Sequence, residues 1–146
     1  MLLGEILTRN ARRQPDKVAV TFGEARYTFA EINSHGNGLV QALYQLGMKV
    51  GDRLAILADN CPEYVETLFA AAKAGVVVVP VNTRLKREDI AFILQDSEAY
   101  ALILSESYWE LVKSFRHQLT VAPYFVTIGN GPGETYEGLI LTPPAP

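Results

Sequence analysis

The sequence has 146 residues, the size of one ordinary domain, and at 49% hydrophobic and 20% charged it can bury a core. Its net charge of −3 and pI of about 5.4 give no electrostatic reason to expect nucleic acid or an anionic membrane as partner. The apolar runs are far short of a membrane span, and one cysteine with two scattered histidines makes neither an internal disulfide nor a metal site.

The start, "MLLGEILTRNARRQPDK", mixes acids and arginines into a helical pattern, so it reads as a short helix stopped by Pro15 and not as a signal peptide. The lone Cys61 fits a reducing, cytoplasmic setting. "KVAVTFGEARYTF" predicts a hairpin turning at Gly23 to Ala25. Thr28 and Glu31 are spaced as a capping box, opening a helix that runs to Gly47. Gly36 and Gly38 lie inside it, each costing about 1 kcal/mol against alanine, so a close neighbour or an irregular turn is expected there.

From Arg53 the pattern turns to strands alternating with helices. "RLAILA" predicts a strand. "PEYVETLFAAAKA" predicts a helix with Pro62 in its first turn, Cys61 or Asn60 as cap and Gly75 as stop. Tyr64, Val65, Leu68, Phe69 and Ala72 are its expected buried stripe. "VVVVPV" is the next strand, expected to be buried, with Pro80 ending its pairing for want of an N–H. Helices are predicted over Glu88–Gln95, with Ile90, Ile93 and Leu94 inward, and over Glu106–Leu119. "YALIL" and "YFVTI" are strands, the second of them the last. Such alternation means a parallel sheet covered on both faces. The tail "GNGPGETYEGLILTPPAP" is rich in Gly and Pro and reads as a linker or an unfinished segment.

In open parallel sheets, ligands sit beyond the carboxyl ends of the strands. That rule makes Asn82, Thr83 and Arg84 candidates for a pocket or interface edge, and Asn60 in "ADNCPE" a candidate at the edge before them. Loop polars more often only hydrogen-bond their own turns. Cys61 at a helix start could carry a lowered thiol pKa, though a packing cysteine is the plainer reading. His35 and His117 have no carboxylate partner visible in sequence and are expected at the surface. "RLKRED" reads as a solvated helix start.

Taken together, these pieces resemble the start of an ATP-dependent acyl-CoA synthetase, AMP-forming and long-chain fatty-acid–CoA ligase-like, of the adenylate-forming superfamily. "YTFAEINS" resembles the first core motif, and "KAGVVVVPVN", Lys73 to Asn82, the second. The stretch from "GMKVGDRL" to "EAYALI" follows the family almost without a gap, and the likeness covers about residues 1–128. Asn82 sits where peptide-synthetase adenylation domains tend to have aspartate. The resemblance implies an α/β fold: a three-layer, parallel-sheet N-terminal subdomain with an N-terminal helix and β-hairpin. Residues 1–128 would be that subdomain, and 129–146 a tail leading to the remainder of the enzyme.

The resemblance also implies a two-step reaction for the parent enzyme. A carboxylate attacks the α-phosphate of ATP to give acyl-adenylate and pyrophosphate, and CoA then displaces AMP, with Mg2+ assisting. In the family the phosphates are held by a Ser/Thr/Gly-rich loop with a lysine, a Thr-Glu motif, a ribose-binding aspartate and a C-terminal lysine. This sequence carries none of these, so no catalytic, cofactor-binding or metal-binding residue is expected in it. "GNGPGE" lacks hydroxyls and lysine, and Pro132 removes a donor, so it reads as a turn. The expected partners are the remainder of its own enzyme, a small carboxylic acid for the parent, and further copies through exposed apolar faces. The rival reading is a stand-alone binding or assembly module with the same fold.

Overall fold

The structure, a computed structural model, describes residues 2–141. The end of the tail, "TPPAP", lies outside the described residues. The chain divides into two compact units. One gathers the chain up to Val50, Asn60–Val76 and the segment from Leu139 on; the other holds Gly51–Asp59 and Val77–Gly138.

The first unit holds three long helices and a hairpin: α1 (Leu3–Arg13), β1 (Val18–Phe22), β2 (Ala25–Thr28), α2 (Phe29–Gln45) and α3 (Pro62–Ala74). The Thr28 hydroxyl accepts from the Glu31 N–H and the Glu31 carboxylate reaches back to Thr28, so the capping box forms as read. Gly4 of α1 sits so close to the Lys73 backbone that a Cβ there would lie 3.1 Å from its nitrogen. In α2 the glycine that needs to be one is Gly38, whose Cβ would overlap the Ile140 carbonyl oxygen. Pro62 opens α3, Cys61 is its N-cap without a side-chain bond, and Gly75 closes it in the left-handed region at φ 73°.

The buried face of α3 is not the expected one. Glu66, Thr67, Ala70, Ala71 and Ala74 are buried, whereas Tyr64, Val65, Leu68, Phe69 and Ala72 are half-exposed. Small residues allow the helices to approach closely, and that contact, not side-chain size, selects the inner face.

The second unit is a five-stranded sheet in the order β4-β3-β5-β6-β7, every neighbouring pair parallel. Its strands are β3 (Arg53–Leu57), β4 (Val77–Pro80), β5 (Ala101–Ser105), β6 (Tyr124–Ile128) and β7 (Glu134–Thr135). Helices α4 (Arg87–Ser97) and α5 (Trp109–Lys113), with Phe115 just beyond α5, pack Ile90, Leu94, Val112 and Phe115 onto Ala55, Leu57, Leu102 and Leu104. The alternate residues Leu54, Ile56, Ala101 and Ile103 are equally buried, so the central strands are covered on both faces.

Three expectations change here. The valine strand is an edge strand, not a buried one: Val77 is 52% exposed. Pro80 does not end the pairing either. Val77 N donates to Asp52 O and Val81 N to Ile56 O, so alternation turns Val78 and Pro80 to the open side, where a missing N–H leaves the ladder intact. The helix expected over Glu106–Leu119 is broken into a 3-10 turn at Glu106–Tyr108, the single turn and a half of α5, and a second 3-10 turn at Arg116–Gln118. Ser114 stops it by turning its hydroxyl back to Leu111 O while Arg87 grips both the Ser114 hydroxyl and its carbonyl, each at 2.8 Å. Finally, "YFVTI" is not the last strand. Glu134–Thr135 pairs with it, and a short helix, α6 (Tyr136–Ile140), follows with Tyr136 buried.

Candidate functional site

The chain runs from β3 to β4 on one side and then to β5 on the other, so the strand order reverses between β3 and β5. Ligands of such sheets bind at that reversal, beyond the carboxyl ends of the strands. Asp59 follows β3 there, and Tyr108 ends the turn after β5. The Tyr108 hydroxyl donates to Asp59 Oδ1 at 2.5 Å and is also bonded by the Thr83 side chain. The Asp59 bond comes first among the causes that push the Tyr108 pKa above its ordinary value, burial adds to it, and Thr83 opposes.

Among the expected residues, Thr83 thus joins a side-chain network, half-buried in the second unit. Asn82 is exposed and its Oδ1 accepts from the Arg84 N–H at 2.9 Å, a turn bond. The Arg84 side chain is exposed and bonds no other described residue. Asn60, exposed, lies just before α3 in the first unit. Asp59 and Tyr108 were not legible as site residues: their pairing spans 49 positions and depends on strand order, which sequence alone leaves open.

The glycine loop after β6 is a turn closed on itself. Thr127 Oγ1 donates to the Pro132 carbonyl at 2.7 Å, Gly133 takes φ 72°, and the Asn130 N–H is taken by the Glu106 carboxylate. A loop that aims its backbone donor at a carboxylate does not cradle phosphate. The Cys61 thiol is pushed up to about 11, mainly by burial, so it is no activated nucleophile. His35 is not the unpaired surface histidine expected: its Nδ1 lies 2.6 Å from the Glu66 carboxylate, a partner supplied by another helix and 31 residues away. No group of three or more His, Cys, Asp or Glu among the described residues could hold a metal ion, and no described helix is long and apolar enough to cross a membrane.

Residues 7–133 match the model of the AMP-binding enzyme family. The chain belongs to that family. A relative, crotonobetaine/carnitine–CoA ligase of Escherichia coli, is 38% identical over 93 residues, 64% of this chain. The chain spans 18% of the length of the curated relatives it matches first. Among solved structures, the anthranilate CoA ligase AuaEII in complex with anthranoyl-AMP superposes with a TM-score of 0.91 at 29% identity, over 96% of this chain and 28% of that one. The inhibitor-bound N-terminal domain of FACL13 from Mycobacterium tuberculosis gives 0.85 at 27% identity, over 95% of this chain and 35% of that one. The α/β class, the parallel sheet, the N-terminal helix and the hairpin are therefore those read from the sequence.

Proposed function

We propose that this chain is the N-terminal part of an AMP-forming acyl-CoA synthetase, an acid–thiol ligase whose whole length activates a carboxylic acid with ATP and Mg2+ and passes the acyl group to CoA. The observation that carries the reading is the family match over residues 7–133, the same span that holds the whole of β3 to β6. Residues 1–128 are the supporting subdomain and 129–146 lead to the remainder of the enzyme, its principal partner. The setting is cytoplasmic and the acid belongs to fatty-acid metabolism.

The residues present do not fit a nucleoside triphosphate. Their glycine loop spends its Asn130 N–H on Glu106, and Pro132 brings none. Phosphate chemistry therefore falls to other parts of the parent, and this chain alone is inert. The role assigned to Asn82, Thr83 and Arg84, and separately to Asn60, is that of an edge meeting a pocket wall or the rest of the polypeptide. Val77 and Phe92, 52% and 67% exposed, are where further copies or the remainder would cover apolar surface.

Acyl-dependent ATP–pyrophosphate exchange tests this. A longer polypeptide with a Ser/Thr/Gly-rich, lysine-bearing loop after residue 146 should exchange, and this chain alone should not. Exchange by the chain alone would overturn its inert role. No exchange by the longer protein, over aliphatic and aromatic acids, would favour a stand-alone binding module.

A further inference from the structure

In the first unit, Arg12 in the last turn of α1 and Lys73 in the last turn of α3 line one surface groove of about 830 Å³. Asn33, Asn37 and Val40 of α2 form a wall, and Ile140 closes one end. None of the described residues lining the groove is acidic. The Lys73 ammonium, half-buried, donates to Asn33 Oδ1 at 2.5 Å and Asn37 Oδ1 at 2.8 Å. Asn33 and Asn37 are one turn apart, so both reach it from one face of α2.

With both amide oxygens turned to the ammonium, both NH2 groups remain as donors, and neither is used by another described residue. Arg12 likewise makes no hydrogen bond or ion pair with a described residue. Burial lowers the Lys73 pKa. A cation partly withdrawn from water is costly unless an opposite charge compensates it. Among the described residues, the ammonium is held by two neutral amide oxygens and not by an opposite charge. The groove thus sets two cations, neither in an ion pair with a described residue, beside the apolar side chains of Val40 and Ile140, within the size range of small-molecule sites.

We propose that this groove binds an amphipathic anion, a carboxylate or phosphate carried on an apolar chain, with the head group at Lys73 and Arg12 and the chain along Val40 and Ile140. The inference is independent of the synthetase reading. Calorimetric titration of the chain with octanoate and with octyl phosphate tests it, with octanol as the uncharged control. At least one anion should bind one-to-one, weaken as salt rises, and outbind octanol at least tenfold. Tighter octanoate assigns a carboxylate and tighter octyl phosphate a phosphate. Lys73→Gln should weaken binding at least tenfold.

Lys73 also anchors α3 to α2, so Lys73→Gln could fail to fold. Ser34, exposed at the groove, serves instead: Ser34→Asp leaves the anchor in place, and with unchanged circular dichroism it should lose binding at least tenfold. The proposal is overturned if neither anion binds, if octanol binds as well as they do, or if affinity is unchanged in Ser34→Asp or in folded Lys73→Gln.

Discussion

Helices α3 and α4 carry apolar residues at the same helical spacing, yet they use them in opposite ways. In α4, Ile90 and Leu94 turn inward and are buried with Val112 and Phe115 over the sheet, and only Phe92 of its large apolar side chains is left exposed. In α3 the large side chains stay half-exposed, and alanines, Thr67 and the charged Glu66 are buried. Periodicity locates a stripe; what the stripe meets decides whether it is the core. Against a sheet, volume must be filled. Against other helices, close backbone approach wins, as Gly4 beside Lys73 illustrates.

That contrast can be broken by exchanging what each helix buries. Ile90→Ala should cost about 2–5 kcal/mol in urea unfolding, the range for emptying a packed core site, whereas Phe69→Ala should cost about 1 kcal/mol. Equal losses would show that α3 hides its large residues after all. Ala70→Leu, on the fully buried small face of α3, should destabilise by about 1–3 kcal/mol through overpacking; a neutral or stabilising result would mean the helices have slack there.

Smaller effects sharpen the comparison within the second unit. Tyr108→Phe removes the hydroxyl bonded to Asp59 and should cost about 0.5 kcal/mol at neutral pH. The folded pKa of Tyr108 lies above its ordinary 10.0, so this stabilisation is whole below pH 10 and is lost as pH rises through the folded value. Thermal melting of both proteins from pH 7 to 11 should therefore converge at the alkaline end, and a gap that persists or widens there would contradict the stabilising Tyr108–Asp59 bond. The smallest signal is kinetic: alkylation of Cys61 by iodoacetamide should rise with pH towards a midpoint near 11, and a midpoint at or below 9.0 would contradict the buried thiol.

Much of the fold was legible because local rules carry it. The Thr28–Glu31 box, Pro62 and Gly75 set helix ends with a few residues each, and β3 to β6 announce themselves by composition, whereas the two polar residues of β7 do not. Strand order was not legible, so the valine run passed for a buried strand when it is an edge. The break at Ser114 escaped as well, since it depends on Arg87 reaching across from α4. At the candidate edge, position after a strand pointed to Thr83, but Tyr108 and Asp59 meet only because β5 lies beside β3. His35 and Glu66 are a pair for the same reason: two helices bring them together, and no spacing in the sequence records it.

Pro80 has a consequence for how this protein behaves in a crowded solution. An open sheet edge is a template on which another chain can add a strand, and repeated addition makes filaments. The side of β4 turned away from β3 offers the Val78 N–H and then, at Pro80, none. A newcomer finds one donor where it needs a row. The proline that interrupts the most β-prone run of the sequence thus works as a gatekeeper against runaway stacking, at no cost to the strand's own pairing.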